Sequence, residues 1–341
     1  MFCSSINSFE LFPFQVLSTE KNERFMGSTL LLTTKDNKYI YKILKNDNSN
    51  ELDFYSSINK KHLLKRHDII PKFIRFVLII EVGKKSKKIY LRKSFINSIL
   101  NKKMHNLQHF KIESAIEMKN FLSGYSNINI IDLKLGTSWI GESKNDSIYN
   151  LREVFTKTFP DEDLIQELND IFCKIERIPE KTEFMNGMLY KLKSLRKSIK
   201  QYMIINNSCQ YEIGIRIQGL ISDKITISRQ RGKELTSNET MKLLSEFLKL
   251  SPNLIRLTRK KVELLKFWLE RQKSYRFIAT SIVLAFDRLN VEKCDIRWLD
   301  FTHALKQNRK NEEEFLMNEG LIKGLDSILK SIENIEIKTS Y

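Results

Sequence analysis

The chain is poor in residues that break or staple a backbone. Of its 341 residues only 11 are Gly, 5 are Pro and 4 are Cys. So little Gly and Pro excludes collagen-like and low-complexity structure. The cysteines, Cys3, Cys173, Cys209 and Cys294, lie far apart. No CxxC or Cys/His spacing points to zinc, a disulfide framework is not expected at this density, and free thiols follow. Apolar runs stop at strand length, so no transmembrane helix is expected. Met1 to Phe14 lacks the charged-then-apolar order of a signal peptide. The expected location is cytoplasmic and/or nuclear.

What is present is a core and a charge. Hydrophobic residues make up 41%, with 21 Phe and 11 Tyr, enough for one large or two modest domains. The formal net charge of +17 calls for an anionic partner: nucleic acid, an anionic membrane face or a heavily phosphorylated small molecule. Part of that excess follows from a chain rich in Lys, Asn and Ile throughout. No RRM, KH or zinc-finger pattern supports nucleic acid, and none is expected as a partner.

Residues up to about 125 read as strands with one helix. Ser28 to Thr34 and Lys38 to Leu44 form a hairpin reading, Asn50 to Lys65 a helix, and Phe73 to Val82 with Lys88 to Phe95 a second hairpin. Asn97 to Ile112 is polar and basic and reads as an insert. Helices follow at Asn150 to Thr158, Asp161 to Arg177 and Phe184 to Met203. Strands return at Tyr211 to Gln218 and Lys224 to Ser228. Thr236-x-x-Glu239 is a capping box opening the next helix, and an amphipathic helix runs from Asn253 to about Gln272. Strands at Arg276 to Phe286 and Asp295 to Phe301 and a helix from Glu319 to about Ile332 complete the chain. The expected fold is α+β: an N-terminal lobe at 1–125 and a C-terminal lobe at 126–341, with a ligand cleft between them and a helical insertion at about 139–207.

Five features fall in a meaningful order. Asp132-Leu133-Lys134-Leu135-Gly136 follows a β-branched run, so Asp132 and Lys134 share one face of a strand and Gly136 permits a turn. One side chain can take hydroxyls or a metal, the other can neutralise phosphate. Lys42 lies on a strand, and Glu51-Leu52-Asp53-Phe54-Tyr55 opens the next helix, a layout that holds ATP phosphates in kinase-like lobes. Tyr275 to Asp287 is an apolar strand. Leu299-Asp300-Phe301-Thr302-His303 places a carboxylate at a strand end, which suits magnesium.

In these blocks the chain resembles the inositol polyphosphate kinase family. The family's P-x-x-x-D-x-K-x-G signature is similar to Ile128-x-x-x-Asp132-x-Lys134-x-Gly136, with Ile for the Pro. Its E-x-x-F-Y helix start matches Glu51 to Tyr55, and its G-F-R-I-x-G strand matches Gly214 to Gly219. Its S-L-L strand resembles Ser281-Ile282-Val283, its I-D-F-A-H block Leu299 to His303, and its C-terminal Gly-Leu helix Gly324-Leu325.

The resemblance implies a two-lobed kinase-like fold, antiparallel sheets in both lobes, ATP and Mg2+ as cofactors, and a soluble inositol polyphosphate substrate. It implies that Lys42 contacts ATP phosphates beside Glu51, and that the Lys119-Asn120-Phe121 hinge meets adenine. Lys119 stands where the family carries an acidic residue. By the same resemblance Asp132 holds the ribose hydroxyls, Lys134 binds substrate near the transferred phosphoryl group, Asp300 coordinates magnesium and His303 approaches the inositol phosphate. Lys193, Arg196, Lys197 and Lys200 recur on one helix face, where like charges repel unless an anion meets them; Lys197 and Lys200 are the substrate candidates. The run Arg256 to Lys261 is read as a solvated face. Asp132 to Thr137 most resembles the inositol hexakisphosphate kinases. The alternatives are a multikinase acting on inositol tris- and tetrakisphosphates and an inactive inositol-phosphate-binding module. A monomer is expected.

Overall fold

The computed structural model describes residues 11–12, 14–16, 31–34, 36–44, 49–58, 61–82, 87–91, 110–137, 170, 174, 182, 189, 200–201, 203–307 and 318–339. Its strands are β1 (Leu11–Phe12), β2 (Phe14–Val16), β3 (Leu31–Thr34), β4 (Tyr39–Ile43), β5 (Phe73–Val82), β6 (Lys87–Leu91), β7 (Phe110–Lys119), β8 (Ile128–Leu135), β9 (Ile215–Ile221), β10 (Thr226–Ile227), β11 (Tyr275–Phe277), β12 (Ser281–Asp287), β13 (Asn290–Leu299) and β14 (Ala304–Lys306). Its helices are α1 (Ser49–Ser57), α2 (Leu63–Arg66), α3 (Cys209–Ile213), α4 (Arg229–Glu234), α5 (Ser237–Lys249), α6 (Pro252–Arg271) and α7 (Glu319–Thr339). The first seven strands form one antiparallel sheet in the order β1-β6-β5-β7-β4-β3-β2, and a second runs β10-β9-β8-β12-β13. With helices packed beside separate antiparallel sheets, the fold is α+β, as expected.

Period-2 alternation decides which face of the second sheet is core. Ile131, Leu133 and Leu135 of β8, Ile282, Leu284 and Phe286 of β12, and Ile296 and Trp298 of β13 are buried together with apolar residues of α5, α6 and α7. The opposite face carries Asp132 and Lys134. Thr236 and Glu239 form the expected capping box at the start of α5. An aromatic cluster joins α1 to this core: Phe54 lies 4.4 Å from Phe301 and 5.1 Å from Phe277, ring centre to ring centre.

Several elements depart from the expected ones. The helix read over Asn50 to Lys65 is two: His62 sits in extended backbone and its ring accepts from the Leu64 N–H, starting α2 anew. The strand read from Tyr211 begins at Ile215, because Ser208 caps α3 and Gly214, at φ +71°, ends it in the left-handed conformation. The strand read over Arg276 to Phe286 breaks at Ala279, whose φ of +53° cannot continue a strand; β11 therefore pairs with β14 and β12 joins the larger sheet. Of the insert read over Asn97 to Ile112, residues 110–112 belong to β7. That strand escapes notice because it buries Glu117, which is satisfied by the Tyr41 hydroxyl and by Arg75 Nε at 2.5 Å.

Lys261 was expected in solvent and is instead buried. Its Nζ donates to Asp68 O (2.9 Å), Asp295 Oδ1 (2.9 Å) and Ile296 O (3.1 Å), tying the turn before β5 to β13. The helices read over Asn150 to Met203, and with them most of the expected insertion, lie outside the described residues apart from isolated positions.

Candidate active site

The D-x-K-x-G strand sits at the centre of its sheet. Asp132 faces Val283 on one side and Gly219 on the other; Lys134 faces Ser281 and Arg216. Gly136 follows at φ +99°, a conformation that favours glycine.

The E-x-x-F-Y block has a mechanical reading. Glu51, Phe54 and Tyr55 sit at i, i+3 and i+4 on one face of α1. Phe54 and Tyr55 lock into the aromatic cluster beside Phe301, and this fixes the carboxylate of Glu51. Glu51 takes Lys42 Nζ at 2.9 Å on Oε1 and 2.7 Å on Oε2, with Glu51 1% exposed. Burial works to lower the Lys42 pKa, but Glu51 and Asp300 outweigh it and raise the pKa, so the ammonium stays charged.

Asp300 joins this pair to the second sheet. It lies just past β13 at φ +68°, a left-handed conformation uncommon for a non-glycine residue. The turn brings its carboxylate between two lysines: Oδ1 lies 3.2 Å from Lys42 Nζ and Oδ2 lies 2.8 Å from Lys134 Nζ. Thr302 donates to Oδ1 at 3.0 Å and lies 3.4 Å from Glu51 Oε2. Desolvation opposes ionisation of Asp300, yet Lys134 and Lys42 hold its pKa well below the usual carboxylate range. The side chain is still 39% exposed, so it can meet a ligand. Among the described residues no cluster of three or more His, Cys, Asp or Glu forms a ready metal cage.

Asp132 is in a different state. It is 5% exposed, and its Oδ1 has no partner among the described residues. Burial raises its pKa to about 6, opposed by Lys134 and by a hydrogen bond with Ser281. An acceptor oxygen buried in this way is costly until a donor arrives. Beside it Ile130, Val283 and Ala285 form an apolar patch against which Phe121 packs. The backbone N–H groups of Lys119 and Asn120 are engaged by the carbonyls of Lys72 and Lys38, at 2.9 and 2.8 Å.

The remaining candidates are less centred. His303 follows Asp300 by three residues and its carbonyl accepts from the Ile278 N–H. Lys200 is helical and exposed; Lys197 lies outside the described residues.

The structure adds cations that the sequence reading did not single out. Arg216 is 3% exposed, lies opposite Lys134, and has an Nη1 with no partner among the described residues. Burial first, then Arg229, lower its pKa to about 10. Lys233 is lowered too, by burial and then by Arg229, Arg216 and Lys200. Four cationic groups from a helix, a strand and α4 thus repel one another beside Lys134. Arg229 and Lys233 stand at i and i+4, the same like-charge signal that marked Lys193 and Lys197. Arg216 was legible as a charge inside an apolar strand.

A strand Lys paired to a helix Glu, a strand-end carboxylate shared with a second strand Lys and a bank of cations together give the arrangement of a kinase-like α+β fold. The sequence pattern of the inositol polyphosphate kinase family matches residues 115–333, more than half of the chain, and the chain belongs to that family. No curated protein matches it. Among solved structures it is similar to the inositol phosphate multikinase Ipk2 of S. cerevisiae in complex with ADP and Mn2+. The TM-score is 0.50 at 14% identity, over 88% of this chain and 99% of that chain. A second inositol phosphate multikinase aligns at a TM-score of 0.39 and 17% identity, over 64% of this chain and 84% of that chain.

Proposed function

We propose that the chain is an ATP- and Mg2+-dependent kinase that phosphorylates a soluble inositol polyphosphate, with inositol hexakisphosphate as acceptor and a diphosphoinositol phosphate as product. The observation that carries the reading is the Glu51–Lys42–Asp300–Lys134 chain of ion pairs, opening beside a cluster of mutually repelling cations. Lys42, held by Glu51, would meet the ATP phosphates. The orphaned Oδ1 of Asp132 would accept from a ribose hydroxyl, and the apolar patch with Phe121 would take adenine.

Asp300 fits Mg2+, because such a hard cation is held by one or two carboxylates together with phosphates, and the carboxylate is ionised and reachable. Bound there, the ion supplies charge neutralisation on the phosphates being parted. Lys134 would steady the oxygens of the transferred group while Arg216, Arg229, Lys233 and Lys200 hold the acceptor's other phosphates. Catalysis then rests on positioning and fixed charge, with no dedicated carboxylate base. The density of cations supports the most highly phosphorylated acceptor. The same site would serve a multikinase acting on tris- and tetrakisphosphates.

The test is incubation with ATP, Mg2+ and inositol tris- to hexakisphosphates, with the products separated. A diphosphoinositol product is expected from the hexakisphosphate. Turnover of only the lower phosphates would make the chain a multikinase, and turnover of none would sink the kinase reading.

A further inference from the structure

Gly136, the turn residue after Lys134, has both backbone groups tied. Its N–H donates to Gly214 O at 2.9 Å, and its carbonyl accepts from Gln210 Nε2 at 2.7 Å. The other end of the same amide, Oε1, accepts from Arg216 Nε at 3.2 Å. Gln210 is 3% exposed, so both bonds are made out of water. The two partners fix the amide's orientation, because a carbonyl needs the NH2 end and a guanidinium needs the oxygen.

This is an unusual way to hold a buried arginine. A carboxylate at this position would steady Arg216 but would also cancel its charge. An apolar side chain would leave Gly136 O and Arg216 Nε unpaired in the interior. A neutral amide steadies the guanidinium at Nε, leaves its positive charge intact and leaves Nη1 without a partner among the described residues. It also ties that guanidinium to the turn that follows Lys134, so two cations on adjacent strands are set by one bridge.

We propose that Gln210 is a positioning residue for the phosphorylated acceptor: its amide bridges Gly136 to Arg216 and aims an uncancelled guanidinium at a phosphate beside Lys134. The proposal rests on the kinase reading above in one respect, that an inositol polyphosphate occupies the cation cluster.

The test measures binding of inositol hexakisphosphate and of ADP to the full-length protein by calorimetry, for wild type, Gln210→Met, Arg216→Met and the double variant. Loss of a hydrogen bond to a charged group predicts that Gln210→Met weakens the hexakisphosphate by about tenfold or more. ADP affinity should stay near wild type. In the Arg216→Met background, Gln210→Met should add nothing further. Equal weakening of ADP, additive effects of the two substitutions, or an unchanged Gln210→Met would overturn it. Gln210→Glu supplies a second route: it keeps an acceptor for Arg216 and cancels its charge, so hexakisphosphate binding should fall while the fold persists, and wild-type-like binding would overturn the proposal. If neither Gln210 variant folds, Arg216→Lys, which keeps the charge and drops the Nε bond, must show the same selective loss, and its absence would overturn the proposal. Wild-type protein that binds no inositol polyphosphate overturns the kinase reading and this proposal together; wild-type binding with an unchanged Gln210→Met overturns this proposal alone.

Discussion

Lys134 Nζ lies 2.8 Å from Asp300 Oδ2, an ion pair between residues 166 positions apart. It joins the centre of the second sheet to a strand-end turn, and Asp300 passes the connection on to Lys42 of β4 and Glu51 of α1. Asp300 is thus held between two ammonium groups, whereas Glu51, at the end of the series, pairs with Lys42.

Asp300→Asn should abolish turnover and melt below wild type, because it removes the ion pairs to Lys42 and Lys134, yet still fold, because Asn tolerates the left-handed backbone that residue 300 adopts at φ +68°. Asp300→Ala should also abolish turnover and be less stable than Asp300→Asn by roughly 1 kcal/mol of backbone strain. Thermal melts and a single-turnover assay check the pair. Full activity in Asp300→Asn would remove Asp300 from the metal role.

Lys42→Met should be strongly destabilising, because it leaves the Glu51 carboxyl group, 1% exposed, without its ammonium partner. Breaking one partner of a buried pair costs about 3–5 kcal/mol, whereas replacing both is often close to neutral. Lys42→Met combined with Glu51→Met should therefore recover most of the lost stability in urea titrations without recovering activity.

Asp132 gives a pH signature. Burial raises its pKa in the folded protein to about 6, above the ordinary aspartate value of about 3.9. The folded state thus holds the proton more tightly than the unfolded state. The resulting stability is present below pH 4 and is lost as the pH rises through 6, the loss amounting to about 3 kcal/mol once both states are ionised. Asp132→Asn should remove that loss: the variant should match wild type at pH 4 and be more stable at pH 7.5, with nucleotide affinity reduced. A variant no more stable at pH 7.5 would show that Asp132 is not penalised by burial.

Charge reversal at Arg229 and Lys233 should raise the KM for the inositol polyphosphate at least tenfold and leave that for ATP nearly unchanged. Rising salt should weaken wild-type acceptor binding more than that of the variant, since fewer cations remain to be screened. Equal effects on both substrates would move the acceptor site elsewhere.

Much of the fold was legible because its signals are local. The Thr236–Glu239 capping box, the amphipathic α6 and the full extent of β5 all follow from residues within a few positions of one another. The errors share a physical origin. Ala279 and Gly214 interrupt apolar runs through backbone conformation, and Glu117 and Lys261 are polar residues buried because distant partners satisfy them. No window of sequence shows a partner that lies elsewhere in the chain.

The sequence by itself determined the parts of the site. Period-2 alternation put Asp132 and Lys134 on one strand face, helical spacing put Glu51 with Phe54 and Tyr55, and the ordered blocks tied these to a kinase family. Only the tertiary structure decided their company: that Asp300 turns back between Lys42 and Lys134, that Arg216 lies opposite Lys134, and that Gln210 bridges Arg216 to Gly136. Those relations depend on strand register and on charges brought close from distant parts of the chain, and both are set by packing the two sheets and their helices into one molecule.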